Sequence, residues 1–356
     1  MNAVISIISA VHCKHSNLVK LIWGPPGTGK TKTVSTTLWA LKSLKCRILM
    51  CSPTNISVIG VCHRFLQALK HFSRQADTDG LPCSLGDIVL FGNKYKMDIT
   101  EEIQVVLLDY RVDELFKCFS SSSGWKQRIG SMISLLENYN LQHNILPDDT
   151  GCSDPLPLLD FDKQFYTVAN NVKVCMLNLW THLPKKCFSS EVVSNILDLL
   201  NLLKTMWDIM SGEVSYDYAR RGFCLLSAEK IESSNPVYSK WDKLRFRCLE
   251  LLKFLQNSLD LPVNVSRSWI RNYCVHNANL TFCTISSSYH LHDMETTPVD
   301  VLIIDEAAQV RECESVIPLR LHGLRHAILV GDDCQLQPIV QSHVMCFLQH
   351  KSHVVF

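Results

Sequence analysis

The sequence predicts an α/β fold: a parallel sheet flanked by helices and interrupted by a long, mainly helical insertion. Three observations carry this. Short apolar runs alternate with a helical stretch near the start, similar runs return near the end, and the middle is periodic at helical spacing. "LVKLIWG" (18–24) and "CRILMCSPT" (46–54) read as buried strands ending in turn residues, with "KTKTVSTTLWALKSLK" as a helix between them. That order is a β-α-β unit, the signature of parallel pairing. "LTFCTIS" (280–286), "VDVLIIDEA" (299–307) and "HAILVGDD" (326–333) repeat the strand pattern. Each closes in small or polar residues, as buried parallel strands do at a ligand edge. In between, "SEVVSNILDLLNLLKTMWDIM" and "DKLRFRCLELLKFLQNSLDL" carry apolar residues at helical spacing, and "SLGDIVLFGN" (84–93) is a lone strand-like piece. Loops are expected at 120–124 and 147–157.

Composition narrows the class. Hydrophobic residues are 47% and charged residues 19% of 356, which is globular. The formal net charge of +1 gives no global field for polyanions, so any nucleic-acid path must be a local groove. Sixteen cysteines in a chain of this length, with no C-x-x-C pair and no secretory start, point to buried reduced thiols in nucleus or cytoplasm. No apolar run reaches a membrane-spanning length, and no cysteine–histidine cluster has zinc spacing.

The octet "GPPGTGKT" (24–31) supplies the chemistry. Gly24, Gly29, Lys30 and Thr31 satisfy G-x-x-x-x-G-K-[ST], directly after a strand and before a helix. Glycines at 24, 27 and 29 let backbone N–H groups wrap a phosphate, and the helix N-terminus adds partial positive charge. Pro25, Pro26, Thr28 and Thr33 complete the expected nucleotide-binding set. Lys30 is expected to bridge the β- and γ-phosphates and Thr31 to offer a hydroxyl to Mg²⁺. In "VLIIDEAA", a buried strand carries Asp305 to its tip as the second Mg²⁺ residue, with Glu306 to orient and deprotonate water. Guanine specificity is unsupported, because "GNKYK" (92–96) has Lys where N-K-x-D needs Asp.

Taken together, "GPPGTGKT", "CSPTN", "FCTISSS", "DEAAQ" and "GDDCQLQP" resemble motifs I, Ia, Ic, II and III of superfamily 1 helicases, in order. The variants resemble the group of nonsense-mediated-decay and senataxin-like helicases, and "DIVLFGNKYKM", "LWTHLPKKCF" and "SWIRNYCVHNANLTFCTISSS" resemble plant senataxin-like proteins. The resemblance implies a RecA-like P-loop NTPase fold using ATP and Mg²⁺. It divides the chain into a first ATPase part (1–74), a helical insertion (75–270), a second ATPase part (271–342) and a divergent tail (343–356), with no second RecA-like domain. It makes Gln335 a γ-phosphate sensor, catalytic together with Lys30, Asp305 and Glu306. Pro53, Thr54, Asn55, Thr284 and Ser286 become contacts to single-stranded RNA or DNA, with strand-end capping as their alternative reading. Gln309 reads equally well as a helix-surface residue. Departures from the family pattern are the missing adenine-binding glutamine near the start and Gln337, which makes "QLQP" of "QLP". The expected activity is ATP hydrolysis of helicase type without unwinding by this chain alone. An inert ATP- or nucleic-acid-binding module is the alternative, and a protein partner is expected over the uncovered cleft face. "KWDKLRFR" (240–247) reads as a solvated helix face with an apolar reverse, or as a basic patch whose Trp241 or Phe246 stacks on bases.

Overall fold

The computed structural model describes residues 2–12, 18–75, 85–92, 97–139, 156–211, 236–294, 298–332 and 334. The described residues divide into two compact units. One is formed within Met1–Asp77, Leu85–Val112 and Ser268–Phe356, the other within Asp113–Arg267.

The first unit is a six-stranded sheet with every pairing parallel. Its strands are β1 (Leu18–Trp23), β2 (Ile48–Ser52), β3 (Ile88–Leu90), β4 (Leu280–Thr284), β5 (Val301–Asp305) and β6 (His326–Gly331), in the spatial order β1-β6-β5-β2-β4-β3. β2, β4 and β5 are buried along their whole length. That explains why they read as continuous apolar runs rather than as alternating ones. β1 alternates instead, half-buried and exposed, and is an edge strand paired, among the described residues, only to β6. Helices α1 (Asn2–His12), α2 (Lys30–Ser43) and α3 (Asn55–Gln75) join one core with it. There Ile7, Val34, Leu38, Val58 and Phe65 pack with Met50, Phe282, Ile303 and Val330. The helix at the start thus lays Ile7 into that core while Ile5 stays exposed.

β3 lies inside the span that sequence reading gives to the insertion, yet it closes the sheet beside β4. Short helix α4 (Glu101–Gln104) follows, then α5 (Leu108–Cys118), whose Arg111 fixes the β3 approach. The Arg111 guanidinium is fully buried and donates to the carbonyls of Leu85, Gly86 and Ile88 at 2.8, 3.1 and 2.6 Å. α10 (Arg267–Asn277) leads back into the sheet, and Arg47 caps its C-terminal carbonyls at Val275 (2.8 Å) and His276 (2.6 Å).

The second unit is helical: α6 (Trp125–Glu137), α7 (Leu156–His182), α8 (Ser190–Ser211) and α9 (Pro236–Ser258) pack on one another. Trp241 is buried there among Tyr139 and Phe165, at ring separations of 5.7 and 6.0 Å. Base stacking by Trp241 is therefore excluded, since its ring is already spent on the core. Phe246 stays exposed beneath the Arg245 guanidinium, and Arg247 pairs with Glu250.

Candidate nucleotide-binding site

The phosphate loop follows β1 and opens α2. Gly27 and Gly29 have φ of 79° and 87°, a conformation that L side chains rarely adopt. Space is open where a Cβ would stand at either, whereas at Gly24 a Cβ would meet Thr28 Oγ1 at 2.8 Å. The Thr28 hydroxyl donates to Pro25 O at 2.7 Å, closing the turn. Lys30 is half-buried, and its ammonium donates to Gly24 O at 2.7 Å, resting on the loop it opens. Thr31 and Thr33 lie in the first turn of α2, with Thr33 N bonded to Gly29 O at 2.9 Å.

Parallel pairing sets β5 two strands from β1, with β6 between them. Asp305 ends β5 at 3% exposure, and its Oδ1 has no hydrogen-bond partner. Burial, then the neighbouring Glu306 charge, push the Asp305 carboxyl up to about 6, and the Lys30 ammonium opposes that shift. Glu306 has φ 55°, left-handed backbone of the kind that concentrates at functional sites. Gln309 Nε2 donates to Glu306 Oε2 at 3.3 Å, so Gln309 faces the second motif rather than solvent alone. The backbones of the motifs converge on Gly331. Its carbonyl accepts Gly24 N at 3.3 Å, and a Cβ there would meet Ala308 N at 3.0 Å.

The remaining sequence-derived residues fall on the other half of the same sheet edge. Pro53, Thr54 and Asn55 follow β2, while Thr284 ends the adjacent β4 and Ser286 follows it; Ile285 N bonds Ser52 O at 3.1 Å between them. Thr54 Oγ1 accepts Ser57 N at 3.2 Å, and Thr284 Oγ1 accepts Ser287 N at 3.2 Å, so both hydroxyls act as caps. Gln335, Gln337 and the tail 343–356 lie outside the described residues. Sequence reading passes over Ser52 and Asp332, both buried with an unpartnered side-chain oxygen; only their position just before or after a strand tip hints at them.

The residues present fit a nucleotide with Mg²⁺. The loop offers left-handed glycines around open space and a lysine held by its carbonyls alone, and β5 offers a buried carboxylate with a free oxygen. Among the described residues, no group of three or more His, Cys, Asp or Glu could hold a metal ion by itself. No described helix is long and apolar enough to cross a membrane.

Residues 3–343 match the family model AAA_11, an AAA domain. The chain belongs to this family. Residues of this AAA domain are 43% identical over 60 positions to the Regulator of nonsense transcripts 1 homolog of Neurospora crassa, covering 17% of the chain. They are 33% identical over 114 positions to Helicase sen1 of Schizosaccharomyces pombe, covering 32% of the chain. The aligned parts span 6% of the length of each curated relative. Motif order, fold and these likenesses make the chain a superfamily 1 helicase domain of the nonsense-mediated-decay and senataxin-like group, an α/β P-loop NTPase.

Proposed function

We propose that the chain is the ATPase domain of an RNA or DNA helicase, binding ATP with Mg²⁺ and a single strand, in nucleus or cytoplasm. Residues 1–74 and 271–342 form its RecA-like ATPase domain, joined by the β3 region, and the rest of 75–270 forms its helical insertion. The observation that carries the reading is the Asp305 carboxylate, buried with an unpartnered oxygen and within electrostatic reach of the phosphate-loop lysine.

The roles follow from chemistry. Gly24, Pro25, Pro26, Gly27, Thr28 and Gly29 wrap the phosphates, with Thr33 supporting the first turn of the helix behind them. Lys30 exchanges the Gly24 carbonyl for phosphate oxygens, a charge-assisted bond stronger than the one it leaves. Thr31 and Asp305 hold Mg²⁺, which when bound supplies positive charge against the phosphates. Glu306 takes the proton of the attacking water, with Gln309 holding one of its oxygens so that the other meets that water. Gln335 senses the γ-phosphate. Pro53, Thr54, Asn55, Thr284 and Ser286 touch the strand's backbone, where caps of this kind present hydroxyls and amides without reading sequence. A protein partner covers the exposed apolar side chains of β1, namely Val19, Leu21 and Trp23.

Steady-state phosphate release with and without poly(U) tests this. Wild type is expected to turn over slowly and faster with poly(U), Glu306→Gln to bind nucleotide without turnover, and Lys30→Ala to lose nucleotide affinity by about 10- to 100-fold. Full activity in Lys30→Ala removes the site assignment. Nucleotide binding without turnover in wild type identifies the inert module instead.

A further inference from the structure

Three adjacent strands end in a row of buried, under-partnered oxygens. Ser52 ends β2, Asp305 ends β5, and Asp332 follows β6, at 0%, 3% and 2% exposure. Ser52 Oγ, Asp305 Oδ1 and Asp332 Oδ2 each lack a hydrogen-bond partner. All three continue alternations whose preceding members, Met50, Ile303 and Val330, belong to the core shared with α2. They therefore share the sheet face from whose edge the phosphate loop opens. A buried carboxylate oxygen left unpaired is strongly unfavourable, and this edge carries two of them beside Glu306, with the Lys30 ammonium acting against the charge of Asp305. A nucleotide would add further negative charge. Such an edge accepts phosphates only in company with a divalent cation.

Asp332 has already committed one oxygen: Oδ1 accepts the Cys334 amide at 3.0 Å, which caps the turn after β6. Capping explains Oδ1 and leaves Oδ2 without a role. Register sets the distance scale. Asp305 pairs with Val330, so Asp332 stands one strand over and two residues further, roughly 7 Å along the strand direction. Mg²⁺ binds oxygen at about 2.1 Å and keeps several waters, so a water-length spacer suits that offset better than direct ligation.

Building on the ATP–Mg²⁺ reading, we propose that Asp332 Oδ2 accepts a hydrogen bond from a water on the nucleotide's Mg²⁺. Asp332 is then a positioning residue for the metal's water shell, and the Ser52 hydroxyl donates into the same set. Asp332 links the third motif to the metal as well as to its own turn.

The test uses the full chain, a fluorescent ATP analogue, and titration with Mg²⁺ or, followed by electron paramagnetic resonance, Mn²⁺. Asp332→Asn keeps an Oδ1 for the Cys334 amide. It is expected to bind the analogue in EDTA within about twofold of wild type while needing about tenfold more metal for half-maximal tightening. Ser52→Ala should shift the metal requirement in the same direction by less, and it carries the test if Asp332→Asn fails to fold. A purely capping Asp332 leaves the metal requirement of Asp332→Asn at the wild-type value, which overturns the proposal. Thr31→Ala separates the two levels. If it raises the metal requirement and neither Asp332→Asn nor Ser52→Ala does, only this inference fails. If wild type shows no metal-dependent nucleotide binding, the ATP–Mg²⁺ reading fails with it.

Discussion

Asp305 holds its proton to about pH 6 in the fold, chiefly because burial disfavours the charged form, whereas an unfolded aspartate releases it near 4. The folded value is the higher one, so between about pH 4 and pH 6 the native state binds more proton than the unfolded chain. Stability falls as pH rises through that window, and above it the penalty stays at roughly 2–3 kcal/mol. Asp305→Asn removes the charge and keeps the shape. In EDTA without nucleotide, the variant should melt above wild type at pH 7.5, by about 2–4 °C for each kcal/mol relieved, and converge with it near pH 4. Thermal melts at four or five pH values check this. Equal melting temperatures across the series would show that the carboxylate is not destabilising. Much of this residue scale was legible in advance: an Asp-Glu pair after four apolar residues needs a buried strand to precede it, and β5 is that strand. The αL backbone of Glu306 was not legible, since nothing in the residue types there demands a positive φ.

At the scale of elements, the three-residue strand β3 is too short to be held by its ladder alone, and Arg111 supplies the difference. Its planar guanidinium spans three backbone carbonyls, which a lysine's single ammonium cannot do as a fork. Burial lowers the Arg111 pKa, with Cys274 and Asp87 opposing that shift. Arg111→Met should therefore lower the unfolding free energy by about 3–5 kcal/mol, because the buried carbonyls lose their donors. Arg111→Lys should recover only part of the loss. Urea unfolding, read as a shift in midpoint at constant slope, measures both; a shift below 1 kcal/mol in Arg111→Met would show that water replaces the guanidinium. This element is also where sequence reading reaches its limit. "DIVLFGN" shows a strand, but its partner β4 lies about 190 residues on, and no local pattern encodes so distant a pairing. α8 and α9 were readable because their apolar spacing is local, whereas α7, the longest helix described, was not read from the sequence.

At the scale of the whole molecule, the strand order β1-β6-β5-β2-β4-β3 brings the strand tips that carry five sequence motifs to one edge although they lie up to some 300 residues apart in the chain. The described residues proposed for the nucleotide lie at or after the tips of β1, β5 and β6, with Ser52 at the tip of β2, and those proposed for a nucleic-acid strand lie at or after the tips of β2 and β4, so β5 and β2 are the neighbours through which one half of the edge meets the other. The second unit contributes no residue to that set. Its core is built from its own aromatic side chains, Phe161, Phe165 and Trp241 among them, and from the Arg245 guanidinium bonded to Leu136 O at 2.9 Å. A ligand that binds only the folded first unit stabilises that unit by mass action, about 2.7 kcal/mol at a hundredfold excess over its dissociation constant. Scanning calorimetry should then resolve two transitions, of which Mg²⁺ with a non-hydrolysable ATP analogue raises one and leaves the other in place. Lys30→Ala should abolish the rise without moving the second transition. Both transitions moving together with ligand would instead show that α5 and α10, the helices in which the division falls, couple the two cores into one cooperative structure.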